Sequence, residues 1–316
     1  MNTTKAAGDF AIVTCADRNM LAAGCCALLS ARQNISRPAS MNLVALDITE
    51  TDKNAIGLFC SHHGVEIRIL PIEKQVLPKI SKGRWAQAAL IRLFLDQVDL
   101  PNVKRLLYLD ADTLAVRSLD KLLGLDLGGN LAAAVDDYIA PFQRKLEKRR
   151  AEIGLSSKSS YFNSGVILLD WSEVRKNGTL EVARRNVENF HARYRALDQD
   201  ALNAALDGNW LRIDPKWNAQ TGFLREISNP SILHFTGRRK PWSPDSAWIH
   251  RGYRGIYEGY LQGTPWENTL TTKGSLKNFQ DFLLDAGKRL EGARKSAMVR
   301  KFIREGGQSG MWKDES

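Results

Sequence analysis

The sequence has few cysteines, and none of them lies in the Cys-x-x-Cys spacing that is typical of zinc and redox sites. Its four cysteines all fall within the first 60 residues. Cys25 and Cys26 are adjacent in an apolar helical pattern, where buried free thiols are expected. A chain without a disulfide framework fits a reducing compartment, so the sequence predicts a cytoplasmic protein.

Long hydrophobic runs are absent as well. No stretch of about 18 consecutive apolar residues occurs, which predicts no membrane-spanning helix. The segment from Met1 to Asp9 is short and polar, so a secretory signal is not expected either. With 316 residues, of which 43% are hydrophobic, the chain can fill the core of one large α/β domain, with or without an appendage.

The sequence contains fewer acidic than basic residues. The net charge of +10 and a pI near 9.5 predict an anionic partner, which could be a nucleotide, a lipid surface, a lipopolysaccharide-like acceptor or nucleic acid. The positive charge is concentrated in residues 142–150 and in the segment beyond Thr269. A solvated helix face explains both stretches, and docking to anionic membrane is the competing interpretation. No nucleic-acid-binding motif accompanies them, so nucleic acid is not the expected partner.

Strand-like and helical segments alternate along the chain. The strand-like segments are Ala11 to Cys15, Asn42 to Asp47, Val65 to Leu70, Arg105 to Leu109, Leu131 to Val135 and Val166 to Leu169. The main helical segments between them are Met20 to Arg32, Asp52 to His62 and Ala86 to Gln97. This alternation predicts an α/β fold with a mainly parallel, Rossmann-like sheet that is flanked by helices. In such sheets ligands bind outside the carboxyl ends of the strands.

Two acidic residues follow the fourth predicted strand at its carboxyl end. Asp110 and Asp112 flank Ala111, and carboxylates at this spacing can converge on one divalent cation. The pattern alone is weak, because a chain of this length contains about one Asp-x-Asp triplet by chance. A second triplet occurs at Asp198-Gln199-Asp200, where Asp198 is equally suited to cap the helix that follows.

Two further segments carry side chains that are common in catalytic sites. Asn163 and Gly165 open the last predicted strand, and glycine lets a ligand or another chain approach the backbone. A plain turn explains this segment equally well. His234 ends an apolar strand, where it can bind a metal, and Lys240 follows a turn at Gly237 and can meet phosphate oxygens. A lone histidine is more often structural, so the context decides.

Taken together, six motifs resemble glycosyltransferase family 8, the retaining group that contains bacterial lipopolysaccharide galactosyl- and glucosyltransferases and glycogenin. In chain order they are Ala16-Asp17-x-Asn19, Arg92, Leu107-Tyr108-Leu109-Asp110-x-Asp112, Tyr161-Phe162-Asn163-x-Gly165, Asp198-Gln199-Asp200 and His234-x-x-Gly237-x-x-Lys240-Pro241-Trp242. The resemblance runs from about Ala11 to Trp248 and implies a GT-A fold with a nucleotide-sugar donor held by manganese. On this basis we expect a catalytic domain at residues 1–268 and a basic helical tail at residues 269–316.

The resemblance also implies roles for individual residues. The metal ligands would be Asp110, Asp112 and His234, and this donor set favours Mn²⁺, with Mg²⁺ as the alternative. The other implied donor-binding residues are Ala16, Asp17, Asn19, Arg92, Ala111, Asn163, Gly237 and Lys240. Asn163, Asp198 and Gln199 would act at the reacting sugar. Asp136 would face the acceptor, although Asp137 beside it leaves the register open.

The implied activity is transfer of glucose or galactose from a UDP-sugar to a glycan or glycolipid such as lipopolysaccharide, with formation of an α-linkage. The basic tail adds an expected peripheral contact with the inner face of the cytoplasmic membrane. Because Gln199 is an amide and a poor nucleophile, front-face attack is favoured over double displacement. Two alternatives remain: a sugar nucleotidyltransferase, for which no glycine-rich phosphate loop follows the first strand, and a basic nucleic-acid-binding protein.

Overall fold

A seven-stranded mixed sheet organises the chain. The computed structural model describes residues 9–78, 89–156, 159–243, 246, 249–268 and 295–313. The strands lie in the order β3-β2-β1-β4-β7-β6-β8. Their bounds are β1 Phe10–Ala16, β2 Ser40–Leu46, β3 Arg68–Ile72, β4 Arg105–Asp110, β6 Ala132–Asp136, β7 Phe162–Asp170 and β8 Trp210–Arg212. Only β7 runs against its neighbours β4 and β6, so the predicted mainly parallel α/β sheet is confirmed.

A second, three-stranded sheet lies beside the first one. It consists of β5 Thr113–Ala115, β9 Ala219–Gln220 and β10 Ile232–His234, in the order β5-β10-β9. Because β5 begins directly after Asp112 and is antiparallel to β10, His234 pairs with Thr113 across the ladder. This small sheet therefore brings His234 next to the end of β4.

Helices cover the sheets. They are α1 Leu21–Gln33, α2 Glu50–His63, α3 Asp120–Leu123, α4 Gln143–Ile153, α5 Trp171–Lys176, α6 Thr179–Phe190, α7 Leu197–Ala205 and α8 Arg254–Leu261. In α1, Cys25 and Cys26 are fully buried free thiols, as the apolar pattern predicted. None of the described helices is long and apolar enough to cross a membrane.

The predicted elements agree with the structure except at some boundaries. The third strand begins three residues later than predicted, at Arg68. Of the predicted helix Ala86 to Gln97, residues 91–97 form a 3-10 helix and residues 86–88 lie outside the described part of the chain. The predicted helix cap at Asp198 is wrong, because α7 already begins at Leu197 and the side chain of Asp200 accepts from the Ala196 N–H at 2.9 Å.

Part of the predicted C-terminal tail packs against the preceding part of the chain. Residues 295–308 are helical, and this helix, α9, buries Val299 completely in the main core. Phe302 stacks on Phe223, with 6.4 Å between the ring centroids. Farther along, Lys313 forms a parallel bridge with Ile213 beside β8. Residues 269–294 of the predicted tail lie outside the described residues.

Candidate active site

The polar segments predicted to share one sheet edge do meet there. β1, β4 and β6 are parallel, so their carboxyl ends lie at the same edge, and Cys15 of β1 pairs with Asp110 of β4. β7 is antiparallel to both neighbours, which places its first residues, including Asn163, at this edge as well. A strand that starts at the edge and strands that end there thus contribute to one site.

Three side chains converge on one point at this edge. One ligand atom each of Asp110, Asp112 and His234 lies within 4.8 Å of the other two. His234 Nε2 is 3.6 Å from Asp110 Oδ2 and 3.4 Å from Asp112 Oδ1. These distances are longer than an ordinary hydrogen bond, so the groups converge without pairing directly. Two carboxylate oxygens and one imidazole nitrogen form a donor set that suits a divalent metal.

The second oxygen of each carboxylate is bound by a cation. Arg92 donates to Asp110 Oδ1 at 2.6 Å, and Tyr108 donates to the same oxygen at 2.8 Å. Lys240 donates to Asp112 Oδ2. Burial alone would raise the pKa of Asp112, but Lys240 and His234 hold it well below its ordinary value. Asp112 therefore stays ionised, and each aspartate keeps one oxygen directed at the shared point.

Two buried residues fix the orientation of His234. Its Nδ1 lies 2.9 Å from the side-chain oxygen of Asn218, which leaves Nε2 as the nitrogen that faces the carboxylates. Gly165 supplies the room for this arrangement. A Cβ at Gly165 would lie 2.1 Å from His234 Cε1 and 2.8 Å from Asp110 Oδ2, so only glycine fits. The sequence motif containing Gly165 is thus explained by close approach of side chains rather than by backbone conformation.

Three amide side chains lie in the neighbouring part of the site: Asn163, Gln199 and Asn218. We call them the amide group. The Gln199 side-chain oxygen accepts from Asn163 Nδ2 and from the Ser164 N–H, both at 3.1 Å. Its Nε2 donates to Asp137 Oδ2 and to the Tyr161 hydroxyl oxygen, both at 3.0 Å. Asn218 Nδ2 donates to Asn163 Oδ1 at 2.9 Å. Asn218 therefore connects this amide group with His234.

We call the convergent side chains of Asp110, Asp112 and His234 the metal cluster. Asp198 lies between this cluster and the amide group. Its Oδ2 is 3.1 Å from Arg92 Nε, so Arg92 contacts both Asp110 and Asp198. Burial raises the pKa of Asp198, and Arg92 opposes this shift. Arg92 also donates to the carbonyl and hydroxyl oxygens of Ser164, each at 3.0 Å. The structure thus brings together Arg92, Asp198 and the metal cluster.

Asp136 is not brought to this cluster. It is fully buried, and its Oδ2 accepts from Arg212 Nη2 at 2.8 Å and from Trp312 Nε1 at 3.3 Å. The pairing register of β6 and β7 shifts between Ala134 and Asp136, which a simple alternation of faces does not anticipate. Asp137, the neighbouring acid, contacts Gln199 and Asn163 instead. Its burial raises its pKa above the ordinary value.

The residues predicted to bind the nucleotide follow β1 or β10. Ala16 is the last residue of β1, and Asp17 caps the short 3-10 helix behind it by accepting from the Asn19 N–H at 3.0 Å. Gly237 has a φ of +89° and turns the chain between His234 and Lys240. Ala111 is buried between the two metal-facing aspartates. These positions lie at the correct sheet edge, and their role toward a nucleotide stays a prediction.

Sequence reasoning did not find several residues of the site. Asn218 lies in the 3-10 helix Pro215–Asn218 and carries no recognisable local motif. Tyr161 and Ser164 flank Phe162 and Asn163, and the local pattern predicts no role for either side chain. Tyr108 had a usable signal, because it precedes Asp110 by two residues and shares its side of β4.

An α/β sheet that carries an Asp-x-Asp pair and a histidine at its carboxyl edge is the arrangement of GT-A glycosyltransferases. Comparison with protein families agrees with this class. Residues 11–246 match the model of glycosyl transferase family 8. The chain belongs to this family and is a glycosyltransferase. The described residues Asp110, Asp112 and His234 form a possible site for its divalent cation.

Individual relatives differ in how much of the chain they match. General stress protein A of Bacillus subtilis is 29% identical over 282 residues, which are 82% of this chain and 95% of that protein. Lipopolysaccharide 1,2-glucosyltransferase of Escherichia coli is 30% identical over 203 residues, which are 58% of this chain and 56% of that protein. The crystal structure of the galactosyltransferase LgtC with donor and acceptor sugar analogs aligns with a TM-score of 0.69 and 24% identity, over 82% of this chain and 99% of LgtC. This structural likeness confirms the GT-A fold.

Proposed function

We propose that this glycosyltransferase transfers glucose or galactose from a UDP-sugar to a glycan or glycolipid acceptor, with retention of the α-configuration. The observation that carries the proposal is the convergence of Asp110 Oδ2, Asp112 Oδ1 and His234 Nε2 beside Lys240. This donor set fits Mn²⁺, with Mg²⁺ as the alternative. Relatives whose names specify lipopolysaccharide glucosyl- and galactosyltransferase support a hexose donor and a glycolipid acceptor.

Charge stabilisation explains the arrangement of the cluster. When the bond between sugar and nucleoside diphosphate breaks, negative charge builds on the pyrophosphate. Asp110, Asp112 and His234 would hold a divalent cation, which would supply Lewis acidity toward the phosphate oxygens. Lys240, which is 16% exposed beside Asp112, adds a second positive charge at the same place. Ala16, Asp17 and Asn19 would hold the nucleoside, and the backbone at Ala111 and Gly237 would border the phosphates.

The surroundings of Gln199 favour front-face attack over double displacement. Double displacement requires a nucleophile, and the Gln199 oxygen is an amide oxygen that already accepts two hydrogen bonds. Arg92 and Asp198 would orient the hydroxyls of the donor sugar, while Asn163 and Gln199 present amides to the anomeric carbon. The acceptor hydroxyl would then attack from the side of the leaving group, and the departing phosphate would take its proton.

Release of UDP into water tests this proposal without a known acceptor. Wild-type protein with UDP-glucose or UDP-galactose and Mn²⁺ is expected to release UDP and free sugar slowly, and EDTA is expected to stop the release. Release of pyrophosphate from UTP and a sugar 1-phosphate would contradict the proposal and indicate a nucleotidyltransferase. Once an acceptor is found, NMR of the first product is expected to show an α-linkage, and an initially β-linked product would rule out retention.

A further inference from the structure

A cleft at the far end of the site edge is bordered by two basic helices. It lies between α4 and α9 and has a volume of about 690 Å³. Its floor is apolar, with Leu146, Met298 and Phe302, and its cationic side chains are Arg150, Arg212 and Lys301. We call it the basic cleft. The roles proposed above leave it unused.

The helices on both sides of the basic cleft carry a net positive charge, although Glu305 also lines the cleft and Arg212 is paired with Asp136. α4 contains five basic and two acidic residues, and residues 295–308 contain four basic and one acidic residue. Two helices with the same net charge repel each other across a cleft, so an anion between them is favoured. Arg150 forms no side-chain ion pair with another described residue, and Lys301 is 67% exposed with only a 3.8 Å contact to Glu305. Arg150 is therefore available to an anion, and Lys301 is held only by its long contact with Glu305.

The apolar floor distinguishes the basic cleft from a simple phosphate site. Met298 is 48% exposed, a large exposed fraction for a side chain of this kind. Phe302, which lines the cleft, packs edge-on against Trp312, with 5.6 Å between the ring centroids. A ligand that fits both parts carries an anionic group next to an apolar chain.

The position of the basic cleft relates it to the acceptor. Along the site edge, Asp17 follows β1, the metal cluster follows β4, Asn163 opens β7, and the basic cleft borders β6 and β8. The nucleotide-side residues and the cleft thus lie on opposite sides of the metal cluster. Ser160, which lines the cleft, directly precedes Tyr161, whose hydroxyl contacts Gln199.

We propose that the basic cleft binds the anionic, lipid-bearing part of a phosphorylated glycolipid acceptor, while the sugar to be extended reaches Gln199. This inference rests on the proposed function, because the cleft has an acceptor only if the protein transfers sugar. Arg150 and Lys301 bind the phosphate as point charges, and Leu146, Met298 and Phe302 contact the first part of the acyl chain.

Binding of a simple amphiphile tests this inference. Full-length protein is titrated with decyl phosphate and, in parallel, with decyl maltoside, both below the concentration at which they form micelles. Intrinsic tryptophan fluorescence reports binding, because Trp312 borders the cleft through Phe302. Decyl phosphate is expected to bind more tightly than the neutral compound. Equal binding of the two compounds would overturn the proposal.

Charge-reversal variants locate the binding. Arg150→Glu with Lys301→Glu is expected to weaken decyl phosphate binding about tenfold or more. The matched control is Arg144→Glu with Arg304→Glu, which changes net charge equally on the same two helices at exposed positions that do not line the cleft. The control should bind like wild type, and equal weakening by both double variants would overturn the proposal. If the first variant does not fold, Arg150→Gln with Lys301→Gln removes the charge and keeps length, and the same comparison decides.

The two measurements distinguish a failure of the acceptor inference from a failure of the proposed function. Wild-type UDP release into water depends on the donor site alone, whereas decyl phosphate binding depends on the cleft alone. Absence of UDP release with intact, site-specific decyl phosphate binding would contradict the proposed function. UDP release without such binding would contradict only the acceptor inference.

Discussion

The two Asp-x-Asp triplets have the same spacing, but the first brings its two carboxylates to one point and the second directs them to different sides of a helix. Asp110 ends strand β4 and Asp112 lies in the turn behind it, so both carboxylates reach the point that faces His234. Asp198 and Asp200 lie in the first turn of α7, where residues two positions apart project about 200° from each other. Asp198 contacts Arg92, whereas Asp200 accepts from the Tyr161 hydroxyl at 2.7 Å on the other side.

This difference shows what the backbone adds to a motif. An extended chain followed by a turn collects two charges at one place, where a divalent cation compensates them. A helix distributes three side chains in three directions, so that Asp198 contacts Arg92, Gln199 contacts Asn163 and Asp200 contacts Tyr161. Substitutions in the first triplet are therefore expected to change metal binding, and those in the second to change turnover or stability.

The largest expected effect comes from filling the space beside the first triplet. In Gly165→Ala the new Cβ would meet both His234 and Asp110, so two of the proposed metal ligands must move. Since displacement of a catalytic group by about 1 Å can cost about 10²-fold, we expect activity to fall about 10⁴-fold, together with a loss of Mn²⁺ affinity. Kinetics and isothermal titration with Mn²⁺ measure the two quantities.

Gly57→Ala is the matched control for this substitution, because a Cβ there meets nothing within 4 Å. It lies in α2, where alanine is also the better helix former. Wild-type activity in Gly57→Ala is expected. A Gly165→Ala protein that binds Mn²⁺ normally would show that the cluster is not the metal site.

The next largest loss of activity is expected for Asp112→Asn, and Asp198→Asn is the variant to compare with it. Asp112→Asn removes a metal-facing charge, so we expect about a 10³-fold lower kcat and loss of the Mn²⁺ dependence. Asp198→Asn removes a partner of Arg92 on the donor side, so turnover falls about 10²-fold while the response to Mn²⁺ is retained. Titration of activity with Mn²⁺ for both variants measures this. Identical Mn²⁺ dependence in the two variants would contradict the division between the triplets.

Asp200→Ala is expected to act on stability. Asp200 is fully buried and accepts from Tyr161, Arg149 and the Ala196 N–H. Its loss leaves the Arg149 charge without this partner and should lower the free energy of unfolding by about 3 kcal/mol. Urea denaturation measures the change, and Asp207→Ala, at a more exposed position, is the control. Unchanged stability in Asp200→Ala would show that this acid is not a structural one.

The sequence predicted six of the seven strands of the main sheet, but not the short strand β8, and it predicted many residues of the candidate site, because these depend on local patterns. Apolar runs such as Leu106 to Leu109 identify strands, and polar residues behind them identify the site edge. The roles of Asp136 and Asn218 depend on the β6–β7 register shift and on a contact between distant segments. Neither is encoded in local periodicity. Asp136 and Asp137 are adjacent and face different sides of the chain, so the local pattern alone does not decide which of them contacts Gln199.

Asn218→Leu is expected to weaken Mn²⁺ binding at the first triplet, because Asn218 contacts the proposed metal ligand His234. Leucine has a similar volume but cannot accept from His234 Nδ1, so the ring loses the contact that directs Nε2 at the carboxylates. Mn²⁺ affinity should fall about 10- to 100-fold, which calorimetric titration measures. Asn218→Asp keeps an acceptor for Nδ1 and is expected to retain most of the affinity. If both variants bind Mn²⁺ equally, Asn218 does not orient the ligand.

The smallest effect is a pH dependence of stability at Asp137, the acid that Gln199 of the second triplet contacts. Burial raises its pKa in the folded protein above the ordinary value of 3.8, so between the two values the folded state binds more protons than the unfolded state. As pH rises from 3.8 to the pKa of Asp137 in the folded protein, Asp137 therefore lowers the free energy of unfolding. Above that pKa its contribution is constant. Asp137→Asn does not titrate, so its stability relative to wild type should increase from about pH 4 upward and then level off. Urea unfolding in EDTA at a series of pH values measures this difference. Asp112 acts in the opposite direction, because its lowered pKa gives stability that is lost only as pH falls below 3.8. A relative stability of Asp137→Asn that does not change with pH would show that Asp137 is as well solvated in the folded protein as in the unfolded chain.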